Sequence, residues 1–459
     1  MKSYNFNNDI LRAYDIRGVV GESLTYKDAE ILGNIFASSL KIKNKVVVCR
    51  DGRLSSPELA KYLIKGLKES GSHVIDIGVG PSPMLYFAAN FFKSEGAIMV
   101  TGSHNPPSHN GFKIMKGIMP FFGNDIKEIG NRAINGAWKL QDGGRTEKKN
   151  IDDIYIEAMF KSTIINKISH NLKVVWDSGN GSAGQIMEKI VKKLPGKHIL
   201  LNKEINGNFP SHHPDPTEPK NLQELIANVK KNNYHLGIAF DGDGDRIGVV
   251  SSAGNIIWGD QLIAFLAKEV LRECPKSHII ADVKASQSTF DIIAKLGGKP
   301  IMWKTGHSFI KTKMKEISAP LAGEMSGHIF FGDRYYGFDD ALYASLRVLE
   351  LINDNSTLDN FLLSLPKKFS TPEMRINCSD KMKFEVVKDL EKTLVKNKSN
   401  INKVDGLRVN MRNGWWLLRA SNTQEALIVR IEANTQKDLE EMQLEIENYI
   451  KKYDLSISQ

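Results

Sequence analysis

Lys45-Val46-Val47-Val48-Cys49-Arg50 runs into Asp51-Gly52-Arg53 and then into Ser56-Pro57-Glu58. The apolar run has the length and β-branched content of a buried strand, the Asp-Gly pair breaks it, and Ser56 before proline reads as a helix N-cap. That helix is expected to reach Ser70 and stop at Gly71. A second strand over 73–77, a rigid turn at Gly80-Pro81-Ser82-Pro83, a helix over 84–92 and a third strand at Ala97-Ile98-Met99-Val100 complete a β-α-β-α-β series. This is the order of a parallel sheet flanked by helices.

The same phrase returns at Leu172–Asp177 and at His278–Asp282, each strand ending on an aspartate before a helical segment. Three α/β units of similar plan, about a hundred residues apart, are expected, a period far longer than any solenoid repeat. Asp142-Gly143-Gly144-Arg145 and its neighbours to Asn150 read as a linker, with further boundaries near Ile256 and between Ser364 and Pro372. After that the pattern changes. Strands near 404–409, 415–420 and 426–433 precede a helix over 436–452, the order of an α+β unit.

With 459 residues, 41% of them hydrophobic and 25% charged, the chain is a multidomain globular protein. Cys49, Cys274 and Cys378 are too few and too scattered for a disulfide framework or a zinc site, which fits a reducing, cytoplasmic compartment. Neither a signal peptide nor a membrane span is expected. The net charge of +9 comes from dispersed lysines without interleaved aromatics, so no nucleic-acid stripe is read.

Four loops carry candidate chemistry. Thr101-Gly102-Ser103-His104-Asn105-Pro106-Pro107 displays a serine on a stiff turn, either a nucleophile or phosphoryl carrier or a plain turn. Asp241-Gly242-Asp243-Gly244-Asp245, between two apolar segments, brings three carboxylates round a hard cation, read as magnesium, or forms a solvated acidic turn. An EF-hand is disfavoured, because its sixth and twelfth positions would be Arg246 and Ser252. Gly323-Glu324-Met325-Ser326-Gly327-His328 can exchange hydrogen bonds with sugar hydroxyls, and His307 stands at a strand-to-helix turn suited to an acid or base, or to a helix cap or surface residue. Arg419-Ala420-Ser421-Asn422-Thr423 offers what a phosphate oxyanion needs, or is a turn between strands. Tyr14 and Arg17, three residues apart, are equally compatible with a surface turn.

Taken together, these loops resemble the α-D-phosphohexomutase superfamily, most closely its bacterial phosphomannomutase/phosphoglucomutase group. The resemblance implies four domains around a central cleft: three related α/β domains with mixed sheets and a smaller C-terminal α+β domain, over 1–149, 150–255, 256–367 and 368–459. It implies a phosphorylated Ser103, supported by His104 and Asn105. The metal ligands would be Asp241, Asp243, Asp245 and the phosphoserine. Arg246 belongs with the catalytic residues, and Lys113 and His307 are the candidates for proton transfer. Tyr14, Arg17, Lys284, Glu324, Ser326, His328, Arg419, Ser421, Asn422 and Thr423 are implied to bind substrate. The expected reaction interconverts hexose 6-phosphate and hexose 1-phosphate, of mannose or glucose, through a hexose 1,6-bisphosphate that also serves as activator. Met325, where phosphoglucosamine mutases carry glutamine, favours neutral hexoses. Glu425 departs from the proline common in relatives and leaves the pose of that loop open. The alternatives are a phosphoglucosamine mutase and a non-catalytic phosphosugar-binding relative. The expected partner is a phosphosugar, with no nucleic acid and no membrane, for a monomer or weak homodimer.

Overall fold

The computed structural model describes residues 3–421 and 425–457. Its first sheet is mixed. Gly96–Val100, Lys45–Arg50, His73–Val79 and Arg145–Lys148 run parallel in that order, and His109–Lys116, Ile16–Val19 and Met119–Phe121 add antiparallel strands. The segment expected as a linker is therefore partly an edge strand of this sheet. Arg145-Thr146-Glu147-Lys148 is almost wholly solvated, so it carries no hydrophobic alternation from which a strand could be read.

The first helix after Lys45–Arg50 spans Ser56–Glu69, with Ser55 rather than Ser56 at the cap position. The Ser56 hydroxyl instead donates to the Asp51 carboxylate at 2.5 Å and accepts from Asn110 Nδ2 at 2.9 Å. Helices Ser82–Phe91 and Gln436–Ile450 likewise differ from the expected spans by one or two residues, and three more strands, at Phe369–Ser370, Met374–Asn377 and Asn400–Asn402, join the last sheet.

The second sheet orders Ile256–Ile257, Ile247–Ser251, Leu236–Phe240, Lys173–Asp177 and Lys197–Leu201. The third orders Lys299–Trp303, His278–Asp282, Leu321–Gly323 and Ile329–Phe331. In the fourth, Ala426–Ala433, Gly414–Ala420 and Leu407–Met411 form an antiparallel centre covered by helices Asp380–Lys396 and Gln436–Ile450. The molecule thus has three α/β units with mixed sheets and an α+β tail.

One continuous apolar core reaches from Val47 through Trp176 and Phe240 to Leu349 and Leu358, so the three α/β units are packed as one body. The tail has its own core around Trp416, Leu427 and Ile446. It meets the rest through a small cluster of Val283, Trp415 and Leu417 and through polar ties. Among the described residues, no helix is long and apolar enough to cross a membrane.

Candidate active site

A cleft of 1430 Å³ is lined by residues of all four units, including Ser103, Arg246, His307, Glu324 and Arg419. Ser103 lies just past the strand Gly96–Val100 with φ +50°, a left-handed backbone that non-glycine residues rarely adopt. Asp51 accepts hydrogen bonds from the Thr101 hydroxyl at 2.8 Å and the Gly102 N–H at 3.2 Å. The Thr101 hydroxyl in turn receives the Ser103 N–H at 2.8 Å. Ser103 Oγ donates to Asp241 Oδ2 at 3.1 Å and lies 3.2 Å from His104 Nδ1. Burial first, then the positive field of Arg246 and Arg17, holds His104 well below the ordinary histidine range. His104 is a neutral neighbour of the serine.

The acidic loop closes the antiparallel pair Leu236–Phe240 and Ile247–Ser251. Asp241, Asp243 and Asp245 are fully buried, with one oxygen from each within 4.8 Å of the others. Lys113 Nζ donates to Asp243 at 2.6 Å and to Asp245 at 2.5 Å. Burial opposes this ammonium, but Asp243 and Asp245 outweigh it and hold Lys113 well above the usual lysine range. Asp243 is shifted below the usual carboxylate range, Lys113 overriding its burial. Asp241 goes the other way, raised by burial and by the carboxylates of Asp245 and Asp243.

Asp243 Oδ1 and Asp245 Oδ1 are buried without hydrogen-bond partners among the described residues. An all-oxygen set of this kind fits a divalent cation. A side chain at Gly242 would put Cβ 2.3 Å from the Ser103 carbonyl oxygen, so only glycine lets the two loops approach this closely.

His307 opens the helix His307–Ile317 and stacks on His328, ring centroids 5.6 Å apart. Arg246 Nε donates to His328 Nε2 at 3.1 Å, which leaves the proton of His328 on Nδ1, 3.1 Å from Asp339 Oδ2. His307 Nδ1 is 3.5 Å from that same oxygen. Lys311 donates to Asp339 Oδ1 at 2.9 Å and, behind the larger effect of burial, helps hold His307 well below its ordinary range.

Glu324 accepts the Gly306 N–H at 2.5 Å, and the Met325 N–H donates to Asp282 at 3.1 Å, which fixes the loop that carries Ser326 into the cleft lining. Tyr14 donates to the Thr305 carbonyl at 2.9 Å, and Arg17 donates to Asn105 at 3.0 Å and to Asp15 at 2.5 Å. The two N-terminal residues are thus anchored in the site. Arg419 pairs with Asp405 at 3.0 Å through Nε and has a buried Nη2 with no hydrogen-bond partner among the described residues. Ser421 lines the cleft, and Glu425 is exposed at its rim. Asn422 and Thr423 lie outside the described residues.

The structure adds groups that the sequence did not single out: Arg53 and Asp51 behind the serine, Asp339 and Lys311 behind the histidines, and Glu373 opposite Lys284. Glu373 accepts from Lys284 Nζ at 2.9 Å, tying the tail to the third unit. Lys284 lowers the Glu373 carboxyl from 4.5 to about 2. A depressed carboxylate stabilises the fold above its ordinary range and loses that contribution as pH falls through the depressed value. Glu373→Gln is accordingly expected to cost about 2 kcal/mol near neutral pH, with the gap to wild type closing as pH falls from 4.5 to about 2. Denaturant unfolding at a series of pH values measures it, and a gap independent of pH contradicts it.

Residues 8–138, 153–254 and 258–369 match the families described as phosphoglucomutase/phosphomannomutase, alpha/beta/alpha domains I, II and III, and residues 373–448 match the C-terminal domain. The chain is 43% identical over 452 residues to a phosphomannomutase/phosphoglucomutase of Pseudomonas aeruginosa, covering 98% of this chain and 96% of the relative. It is 41% identical over 446 residues to a phosphoglucomutase of Neisseria gonorrhoeae, covering 96% of each. A crystal structure of a phosphoglucomutase/phosphomannomutase family protein from Burkholderia thailandensis superposes with a TM-score of 0.89 at 40% identity, covering 96% of this chain and 97% of that one.

Proposed function

Since the chain belongs to the phosphoglucomutase/phosphomannomutase family, we propose that its cleft interconverts the 6- and 1-phosphates of mannose and glucose with Ser103 as phosphoryl carrier. It is a phosphohexomutase. The observation that carries the residue assignment is the meeting of two loops: Ser103 Oγ sits 3.1 Å from Asp241 in a buried three-carboxylate cluster, facing a cleft that all four units line.

In this reading Asp241, Asp243 and Asp245 would hold Mg²⁺, which supplies positive charge against the phosphoryl oxygens when bound. Phosphoserine donates its phosphoryl group to a sugar hydroxyl. The Ser103 O–P bond breaks, a new P–O bond to the sugar forms, the hydroxyl proton leaves, and the freed Ser103 oxygen takes up a proton in turn. His307, kept neutral by burial, lines the cleft as the group to take that proton. Lys113 is held charged between Asp243 and Asp245, so it acts first as a charge partner and can give up a proton only once those contacts loosen. Arg246 faces the developing phosphoryl charge.

Lys284, Arg419 and the loop from Ser421 hold the substrate's standing phosphate, while Glu324 and Ser326 bind ring hydroxyls, with Tyr14 and Arg17 closing the cleft opposite. The hexose 1,6-bisphosphate so formed turns over and returns its other phosphoryl group to Ser103. Contacts that leave carbon 2 unread admit both epimers. Free thiols at Cys49, Cys274 and Cys378 accord with a cytoplasmic enzyme.

A coupled assay with glucose 1,6-bisphosphate as activator tests the substrate class. Glucose and mannose 1-phosphates are expected to turn over at rates within about tenfold of each other, and glucosamine 1-phosphate about 10²-fold more slowly. Glucosamine phosphate as the fastest substrate would replace this reading with a phosphoglucosamine mutase.

A further inference from the structure

The left-handed backbone at Ser103 has to be held in place by its surroundings. We propose that Arg53 is the positioning residue for the phosphoryl-carrying serine, setting the reach of Ser103 Oγ through the backbone of its loop; this rests on Ser103 being that carrier.

One buried guanidinium serves four carbonyls between Ser103 and His109, three of them in the loop and one at the start of the next strand. Arg53 Nη2 donates to the carbonyls of Ser103 at 2.8 Å and Asn105 at 2.6 Å. Nη1 donates to those of Pro106 at 2.6 Å and His109 at 3.0 Å. The planar fork of arginine fixes the directions of these donors relative to one another, which the rotating ammonium of lysine cannot do. Asp51 complements it, lying 3.2 Å from Arg53 Nε while accepting the donors at the start of the loop.

The loop is built round this group. A Cβ at Gly102 would lie 2.6 Å from Arg53 Cζ. Phe209, from the unit that bears the acidic loop, lies over the guanidinium with Cζ 5.1 Å from the ring centroid. Enclosed in this way, Arg53 has no room to touch substrate, so it acts only through the loop. The Ser103 carbonyl it holds is also the atom that a Gly242 side chain would strike. Arg53 therefore fixes the serine loop against the acidic loop as well as within itself.

The test uses full-length Arg53→Lys and Arg53→Gly. Phosphoryl uptake at Ser103 from glucose 1,6-bisphosphate is followed by peptide mass, beside steady-state kinetics and thermal unfolding. In Arg53→Lys, kcat and the rate of uptake are expected to fall about 10²-fold with KM within about threefold of wild type, the signature of a misplaced reacting group. In Arg53→Gly, millimolar guanidinium but not ammonium is expected to restore at least about tenfold in rate, since only the planar ion reproduces the fork. Uptake and kcat within about threefold of wild type in Arg53→Lys would overturn the assignment, as would a loss confined to KM.

Should the Arg53 variants fail to fold, Gly102→Ala keeps the guanidinium and displaces the loop by a methyl group. It is expected to lower kcat without raising KM, and an unchanged kcat overturns the proposal. Wild-type protein that takes up no phosphoryl group at Ser103 overturns the carrier reading and this one with it, whereas normal uptake in the variants overturns this one alone.

Discussion

Ser103→Ala is expected to lower kcat by at least about 10²-fold in both directions while leaving the affinity for hexose phosphate within about threefold of wild type. The split follows from what the side chain does. In the proposed mechanism its oxygen forms and breaks the bond to phosphorus, whereas the ring and the standing phosphate are assigned to Glu324, Ser326, Lys284 and Arg419 on other units. The hydroxyl also bonds Asp241 at 3.1 Å and lies 3.2 Å from His104 Nδ1, and losing it leaves that carboxylate its N–H donors from Asp245 and Arg246 at 3.0 and 3.1 Å. Folding is therefore little affected. Steady-state kinetics beside equilibrium binding measures the effect, and a variant that retains wild-type turnover removes Ser103 as carrier.

Removing the charge at Lys113 tests the metal assignment through stability. In the absence of a divalent ion, Lys113 is the cation bonded to both Asp243 and Asp245. Lys113→Met leaves those two buried carboxylates uncompensated. The expected cost is about 3–5 kcal/mol in metal-free protein, the range found when one partner of a buried ion pair is removed. Mg²⁺ should recover most of that loss, because a divalent ion at the three aspartates takes over the compensation. Thermal unfolding with chelator and then with increasing Mg²⁺ reads this directly. A variant as stable as wild type in chelator, or one that Mg²⁺ does not stabilise, contradicts the assignment.

The sequence made the loops legible for physical reasons. Gly102, Pro106 and Pro107 mark a turn whatever surrounds them, and alternating Asp and Gly between two apolar strands has few other uses. What it could not show were the single charged residues whose importance is created by tertiary approach. Arg53 looks like any arginine after a strand until the fold brings four carbonyls round it. Asp339 lies 28 positions from Lys311, and Glu373 lies 89 positions from Lys284. No local pattern links such pairs. The strand Arg145–Lys148 escaped notice for the opposite reason, since an exposed edge strand needs no apolar face. Lys45–Arg50 and Ala426–Ala433 were read at their true bounds because burial on both faces leaves a continuous hydrophobic run, whereas Leu407–Met411 was expected at 404–409.

The way the core is divided bears on how such a protein can diverge. Residues of the three α/β units meet in one shared apolar body, so substitutions in that body are coupled across units, while each unit keeps a further cluster of its own. The tail, with its own core and a mostly polar seam, answers mainly to itself. Since it carries Arg419 and Ser421, the groups assigned above to the standing phosphate, substitutions in the tail can alter that assigned contact without repacking the body that holds Ser103 and the acidic loop.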